Sequence, residues 1–134
     1  MSDSLTFDIL RAANKARLPT FRNSNGDIAH KKADGSDWSV NDWIVALVGE
    51  VGEMANVAKK YRRGDISREE FEDFMGKELP DIQIYLDLLS TQVGVDLGEA
   101  TILKFNEVSE RVNSPVRIFR NGQDWYYASS RDAP

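Results

Sequence analysis

Ala46-Leu-Val-Gly-Glu-Val-Gly-Glu-Met54 and Lys77-Glu-Leu-Pro-Asp-Ile-Gln-Ile-Tyr85 decide how this chain folds. Each stretch is apolar, broken by two acids three positions apart: Glu50 with Glu53, and Glu78 with Asp81. On a helix that spacing puts both carboxylates on one face, a turn apart. The interleaved Leu47, Val48, Val51, Ile82 and Ile84 place both pairs on largely apolar helices. Four carboxylates facing one another repel and lose hydration, so they call for a counter-cation. Oxygen donors of this kind suit Mg²⁺ or Mn²⁺.

Outward from these pairs the helices are readable. A first helix is expected from about Ser4 to Arg17, with Ser4 as its N-cap and Pro19 as its exit. A polar loop, 19–37, carries Asn25-Gly26 and Asp34-Gly35 turns. The second helix starts near Ser39 and stops near Arg63-Gly64, with Lys59, Lys60, Arg62 and Arg63 at the end its dipole favours for cations. Ser67 to Glu70 form a capping box for a third helix, which Gly76 and Pro80 interrupt. A single helix bent near Glu78 is the expectation there, ending at Gly94. Asp96 caps a fourth helix from Leu97 to about Val112. Beyond Asn113-Ser-Pro115 the pattern changes to strand, turn and strand: Val116 to Phe119, Arg120 to Gly122, and Trp125 to Tyr127. Residues from Ser129 onward are expected to fray. The expected fold is all-α, a bundle of four helices over 1–112 with a small β-hairpin appendage over 113–134.

Bulk properties narrow the function classes. The chain has 134 residues and a formal net charge of −5, which disfavours binding a nucleic acid polymer. It has no cysteine and a single histidine, His30, so thiolate zinc sites, disulfides and multi-histidine centres are excluded. No apolar run reaches the ~18 residues of a membrane span. The first residues lack the features of an export signal, which makes the cytoplasm the expected location.

Around an acidic metal site, basic groups would meet an anionic substrate. Lys60 and Arg63 lie beyond Glu53 on the second helix. On the fourth, Lys104 and Arg111 are seven apart and share a face, with Asn106 nearby. Lysine offers phosphate a point charge and arginine a bidentate fork. The plainer reading of Lys104 and Arg111 is pairing with Glu107 or Glu110. His30 reads as an ordinary solvated loop residue. Trp38 and Trp43 read first as packing residues, with Trp38 the better stacking candidate. Trp125, Tyr126 and Tyr127 are expected to be buried against the bundle or a partner subunit.

The two acidic stretches, followed by Val93-Gly-Val-Asp-Leu97 with Lys104 and Arg111, resemble the MazG-like all-α nucleoside triphosphate pyrophosphohydrolases, which include small dCTP pyrophosphatases. The likeness covers about residues 38–112. It implies hydrolysis of a (deoxy)nucleoside triphosphate to monophosphate and pyrophosphate with Mg²⁺ or Mn²⁺. It implies that Glu50, Glu53, Glu78 and Asp81 bind metal, with Glu50 or Glu53 also positioning the attacking water. Lys104, Asn106 and Arg111 would then hold phosphate or sugar. The resemblance further implies a homodimer or homotetramer with sites near subunit interfaces. By region it points to Asn14, Phe21, Arg22 and Trp38 for the base pocket. Asn14 and Asp27 carry group types that guanine needs, which favours dGTP or broad purine use, with dCTP as the second expectation. Pro80 departs from the family pattern, which has a small non-proline residue there. The alternative from another class is a catalytically idle helical adaptor, which would need no metal.

Overall fold

The computed structural model describes residues 4–122 and 124–129, with the backbone alone at 121, 124 and 125. Four α-helices are followed by one antiparallel hairpin: α1 (Phe7–Arg17), α2 (Val40–Arg63), α3 (Arg68–Gln92), α4 (Leu97–Arg111), β1 (Val116–Asn121) and β2 (Asp124–Ser129). A 3₁₀ turn, Leu18–Thr20, continues α1. The chain forms two compact units, 1–95 and 96–134. Thus α4 groups with the hairpin, whereas the sequence pattern had grouped it with the helices before it.

In the first unit α2 and α3 run antiparallel. Tyr61, near the end of α2, stacks on Phe71 near the start of α3 at 4.5 Å between ring centroids. At the other end Trp43 meets Tyr85 at 6.4 Å. A tight connection makes this possible. Gly64 takes φ +79°, a left-handed value that favours glycine, and its N–H closes α2 onto Lys60 and Tyr61. Both helices start with capping boxes. The Ser39 N–H donates to Asp42 (2.7 Å) and the Asp42 N–H returns to Ser39 Oγ (3.3 Å). Ser67 and Glu70 repeat the exchange at 2.8 and 3.1 Å.

The buried residues of α2 are Trp43 and Val57. Glu50 lies seven positions from each, so it sits on the stripe that faces α3. On α3 the matching stripe runs Glu78, Asp81, Tyr85 and Leu88, of which Leu88 is buried. Helix α3 passes through Pro80 without ending. Proline offers no N–H and crowds the carbonyl four residues back; that residue is Gly76, the one with the most backbone latitude.

Helix α1 begins later than the sequence suggested. Thr6, not Ser4, is the N-cap, its Oγ1 accepting from the Ile9 N–H at 3.2 Å.

In the second unit Asp96 caps α4 by accepting from the Glu99 N–H at 2.9 Å. The hairpin pairs Val116 with Ser129 through to Asn121 with Asp124. Gly122 turns the chain at φ +62°. Tyr126 tilts against Phe119, while Tyr127 is 78% exposed and so is not buried within its own chain, which leaves only the partner-subunit half of the expectation. Strand alternation explains the difference: neighbouring side chains leave opposite faces. Ser129, expected to fray, is instead paired with Val116 in β2; the Trp125 side chain and the rest of the expected fraying, at 130–134, lie outside the described residues. Among the described residues no helix is long and apolar enough to cross a membrane.

Candidate functional site

The antiparallel pairing of α2 and α3 brings three of the four expected carboxylates together. One oxygen each from Glu50, Glu78 and Asp81 lies within 4.8 Å of the others. Glu50 and Glu78 are half-buried and Asp81 is exposed. Burial holds the Glu50 carboxyl above its ordinary pKa, and repulsion from Asp81, Glu53 and Glu78 raises it further. Glu53 is exposed and outside the three-oxygen group, yet close enough to act on Glu50.

The donor set fits a hard divalent cation. All three groups offer only oxygen, their mutual repulsion is what such an ion relieves, and Asp81 opens the site to solvent. Mg²⁺ prefers oxygens at about 2.0–2.1 Å, so the three carboxylates would draw together around it.

Tyr85 follows Asp81 by one turn and shares its face. Burial raises its hydroxyl pKa, with smaller contributions from Glu50 and Asp81. It also touches Trp43, joining the acids to an aromatic group beyond. There His30 stacks on Trp43 at 5.1 Å and 12° between planes. Trp38 and Phe21 meet the His30 ring edge-on at 4.9 and 5.2 Å. The His30, Trp38 and Trp43 rings border a cavity of about 340 Å³ whose walls also include Leu18, Pro19, Lys31 and Gln92.

His30 is therefore not the solvated loop residue the sequence suggested. Its Nδ1 is buried without a hydrogen-bond partner, and burial lowers its pKa. The loop holds it there through short bridges, Arg22 with Ile28 and Lys31 with Asp37. An ion pair also joins the Lys31 and Asp37 side chains.

The other expected site residues divide by what they touch. Phe21 and Trp38 belong to the aromatic group. Arg22 turns back on its own loop, donating to the carbonyls of Pro19 (2.8 Å) and Phe21 (3.0 Å). Asn14 is buried at 3% exposure and bonds to Asp87, behind the cavity rather than in its wall. Arg63 pairs with Asp65 beside the α2 C-cap, and Lys60 is exposed. In the second unit Lys104 pairs with Glu107 at 2.5 Å, the plainer of its two readings. It also stands in the wall of an open groove with Phe105, Val108 and Val112. Asn106 grips β1: its amide nitrogen donates to the Ile118 carbonyl (2.9 Å) and its oxygen accepts the Ile118 N–H (2.8 Å). Arg111 is exposed at the end of α4.

Two participants were not singled out from sequence. Tyr85 was detectable, because it stands one turn after Asp81. His30 was not, because only the folded loop places it among the rings. Compared with known protein families and with curated proteins, the chain matches none.

Proposed function

We propose that this protein is a metal-dependent nucleoside triphosphate pyrophosphohydrolase of the MazG-like type. The observation that carries the reading is the meeting of Glu50, Glu78 and Asp81 across α2 and α3. Glu50, Glu78 and Asp81 would hold Mg²⁺ or Mn²⁺, with Glu53 completing the set. When bound, the cation neutralises triphosphate charge and polarises phosphorus for attack by water. Glu53, exposed and one turn from Glu50, takes the proton of that water. The water oxygen bonds to the α-phosphorus, and the bond to the bridging oxygen breaks to release pyrophosphate.

The aromatic cavity joined to the acids through Tyr85 takes the base, with Trp38 the stacking face. A flat heterocycle is what such rings accept. A deoxynucleotide is the proposed substrate, dGTP ahead of dCTP. Lys60 and Arg63, on the helix that carries Glu50 and Glu53, are the proposed phosphate ligands.

The proposed assembly is a homodimer or homotetramer with a complete helical bundle. Support comes from the apolar residues that α2 leaves exposed: Val40, Ile44, Val45, Val48 and Val51. The test of activity is pyrophosphate and monophosphate release from each common nucleoside triphosphate with Mg²⁺, Mn²⁺ or EDTA. Metal-dependent release supports the enzyme; a metal-indifferent chain with no release supports a helical adaptor.

A further inference from the structure

Helix α1 is fastened to α3 mainly by polar groups. Its one buried residue is Asn14, while Phe7 and Ile9 are 42% and 56% exposed. The fastening centres on Asp87, which is 1% exposed. Asn14 Nδ2 donates to Asp87 Oδ2 at 2.9 Å, and Arg11 Nε approaches Asp87 Oδ1 at 3.4 Å. Arg11 also donates to Ser90 Oγ.

From this clasp a chain of contacts runs to the cavity. Asn14 Oδ1 accepts from Arg17 Nη2 at 3.4 Å. The Arg17 guanidinium lies over the Phe21 ring, 5.3 Å from its centroid. Phe21 meets His30. The 3₁₀ turn that continues α1 supplies Leu18 and Pro19 to the cavity wall, and Gln92, at the end of the helix that carries Asp87, also lines it. A buried carboxylate bonded on both oxygens has one geometry, so it fixes where α1 ends.

We infer that Asp87 is a positioning residue for the aromatic cavity: with Arg11 and Asn14 it sets α1 and its 3₁₀ turn as one wall of that cavity. The inference rests on the reading above only in taking the cavity's occupant to be a nucleobase. Asp87 touches neither the acids' ligand oxygens nor the proposed substrate, so its loss should loosen binding and spare chemistry.

The experiment compares Asp87→Asn, Asn14→Ala and a control, Val57→Ala, in a Trp125→Phe background. Acrylamide quenching then reports on Trp38 and Trp43. Steady-state kinetics use dGTP with Mg²⁺, and far-UV circular dichroism checks that the helices remain. The expected result is increased quenching for both clasp variants. KM rises about tenfold, the scale of one lost charge-assisted hydrogen bond, and kcat stays within about twofold. Val57→Ala, which weakens the core away from the cavity, leaves quenching and KM unchanged. If Asp87→Asn does not fold, Asn14→Ala carries the test, because it keeps the Arg11–Asp87 pair. Folded clasp variants with unchanged quenching overturn the inference, as does an equal effect in Val57→Ala. A wild-type protein that hydrolyses no nucleotide overturns the pyrophosphohydrolase reading instead, while the quenching comparison still decides the clasp.

Discussion

At Glu50 a carboxylate stands on the helix stripe that buries Trp43 on one side and Val57 on the other. Its pKa is raised, first by burial and then by Asp81, Glu53 and Glu78. A carboxyl raised in the folded state binds its proton there before the unfolded chain does. Its ionised form therefore opposes folding above the raised pKa, and this penalty fades as pH falls through that value toward 4.5. His30 works in the other sense: its lowered pKa means the unfolded chain takes a proton first as pH falls through 6.5, so stability is lost. Comparing wild type with Glu50→Gln isolates the first effect. In EDTA, Glu50→Gln should melt higher than wild type at neutral pH, with the gap closing as pH drops toward 4.5. The same variant should lose stabilisation by Mn²⁺ and lose turnover. Glu53→Gln should abolish turnover while keeping the fold, as followed by pyrophosphate release and circular dichroism. Asp87 makes a separate claim on stability. Removing it by Asp87→Ala takes away the carboxylate to which Arg11 and Asn14 donate and should cost about 3 kcal/mol in urea unfolding, toward the lower end for a buried pair because Arg11 keeps some solvent contact.

Among the elements, α2 and α3 were legible because several local signals agreed: capping residues at Ser39 and Ser67, apolar periodicity, and Gly64 as a stop. Ser67→Ala should cost about 1 kcal/mol by chemical denaturation, since it removes the acceptor for the Glu70 N–H. Pro80 was read as an interruption the helix survives, and α3 is continuous through it. Pro80→Ala should restore one hydrogen bond and stabilise α3 by about 1–3 kcal/mol; unchanged denaturation would mean Gly76 already absorbs the whole strain. The loop, 19–37, was the opaque part. Its turns were visible as Asn-Gly and Asp-Gly, but nothing local says that His30 will stack on a tryptophan in the next helix. Asn14 was similarly opaque. Its region was readable from the resemblance, but its partner, Asp87, lies 73 residues away. The acidic pairs were legible because helix spacing sets which residues share a face, although the exclusion of Glu53 from the tight group depends on side-chain reach.

For the whole molecule the apolar residues that remain exposed are the telling feature. Val40, Ile44, Val48 and Val51 recur at helical spacing along one side of α2, each at least 39% exposed. A chain left alone with such a stripe should self-associate. Light scattering should report a mass above that of one chain, and Ile44→Glu with Val48→Glu should shift it toward the monomer. A wild-type protein that stays monomeric at high concentration would contradict the proposed assembly. The grouping of α4 with the hairpin was not legible, because periodicity marks a helix but does not name its neighbour. The central claim concerns the acids, and it has a direct test: incubate the protein with each common ribo- and deoxyribonucleoside triphosphate, with Mg²⁺, Mn²⁺ or EDTA, and assay both products. The account predicts monophosphate and pyrophosphate in equal amounts, only with metal, and most from a deoxynucleotide. Absence of both products with metal, or release that EDTA does not suppress, would contradict it.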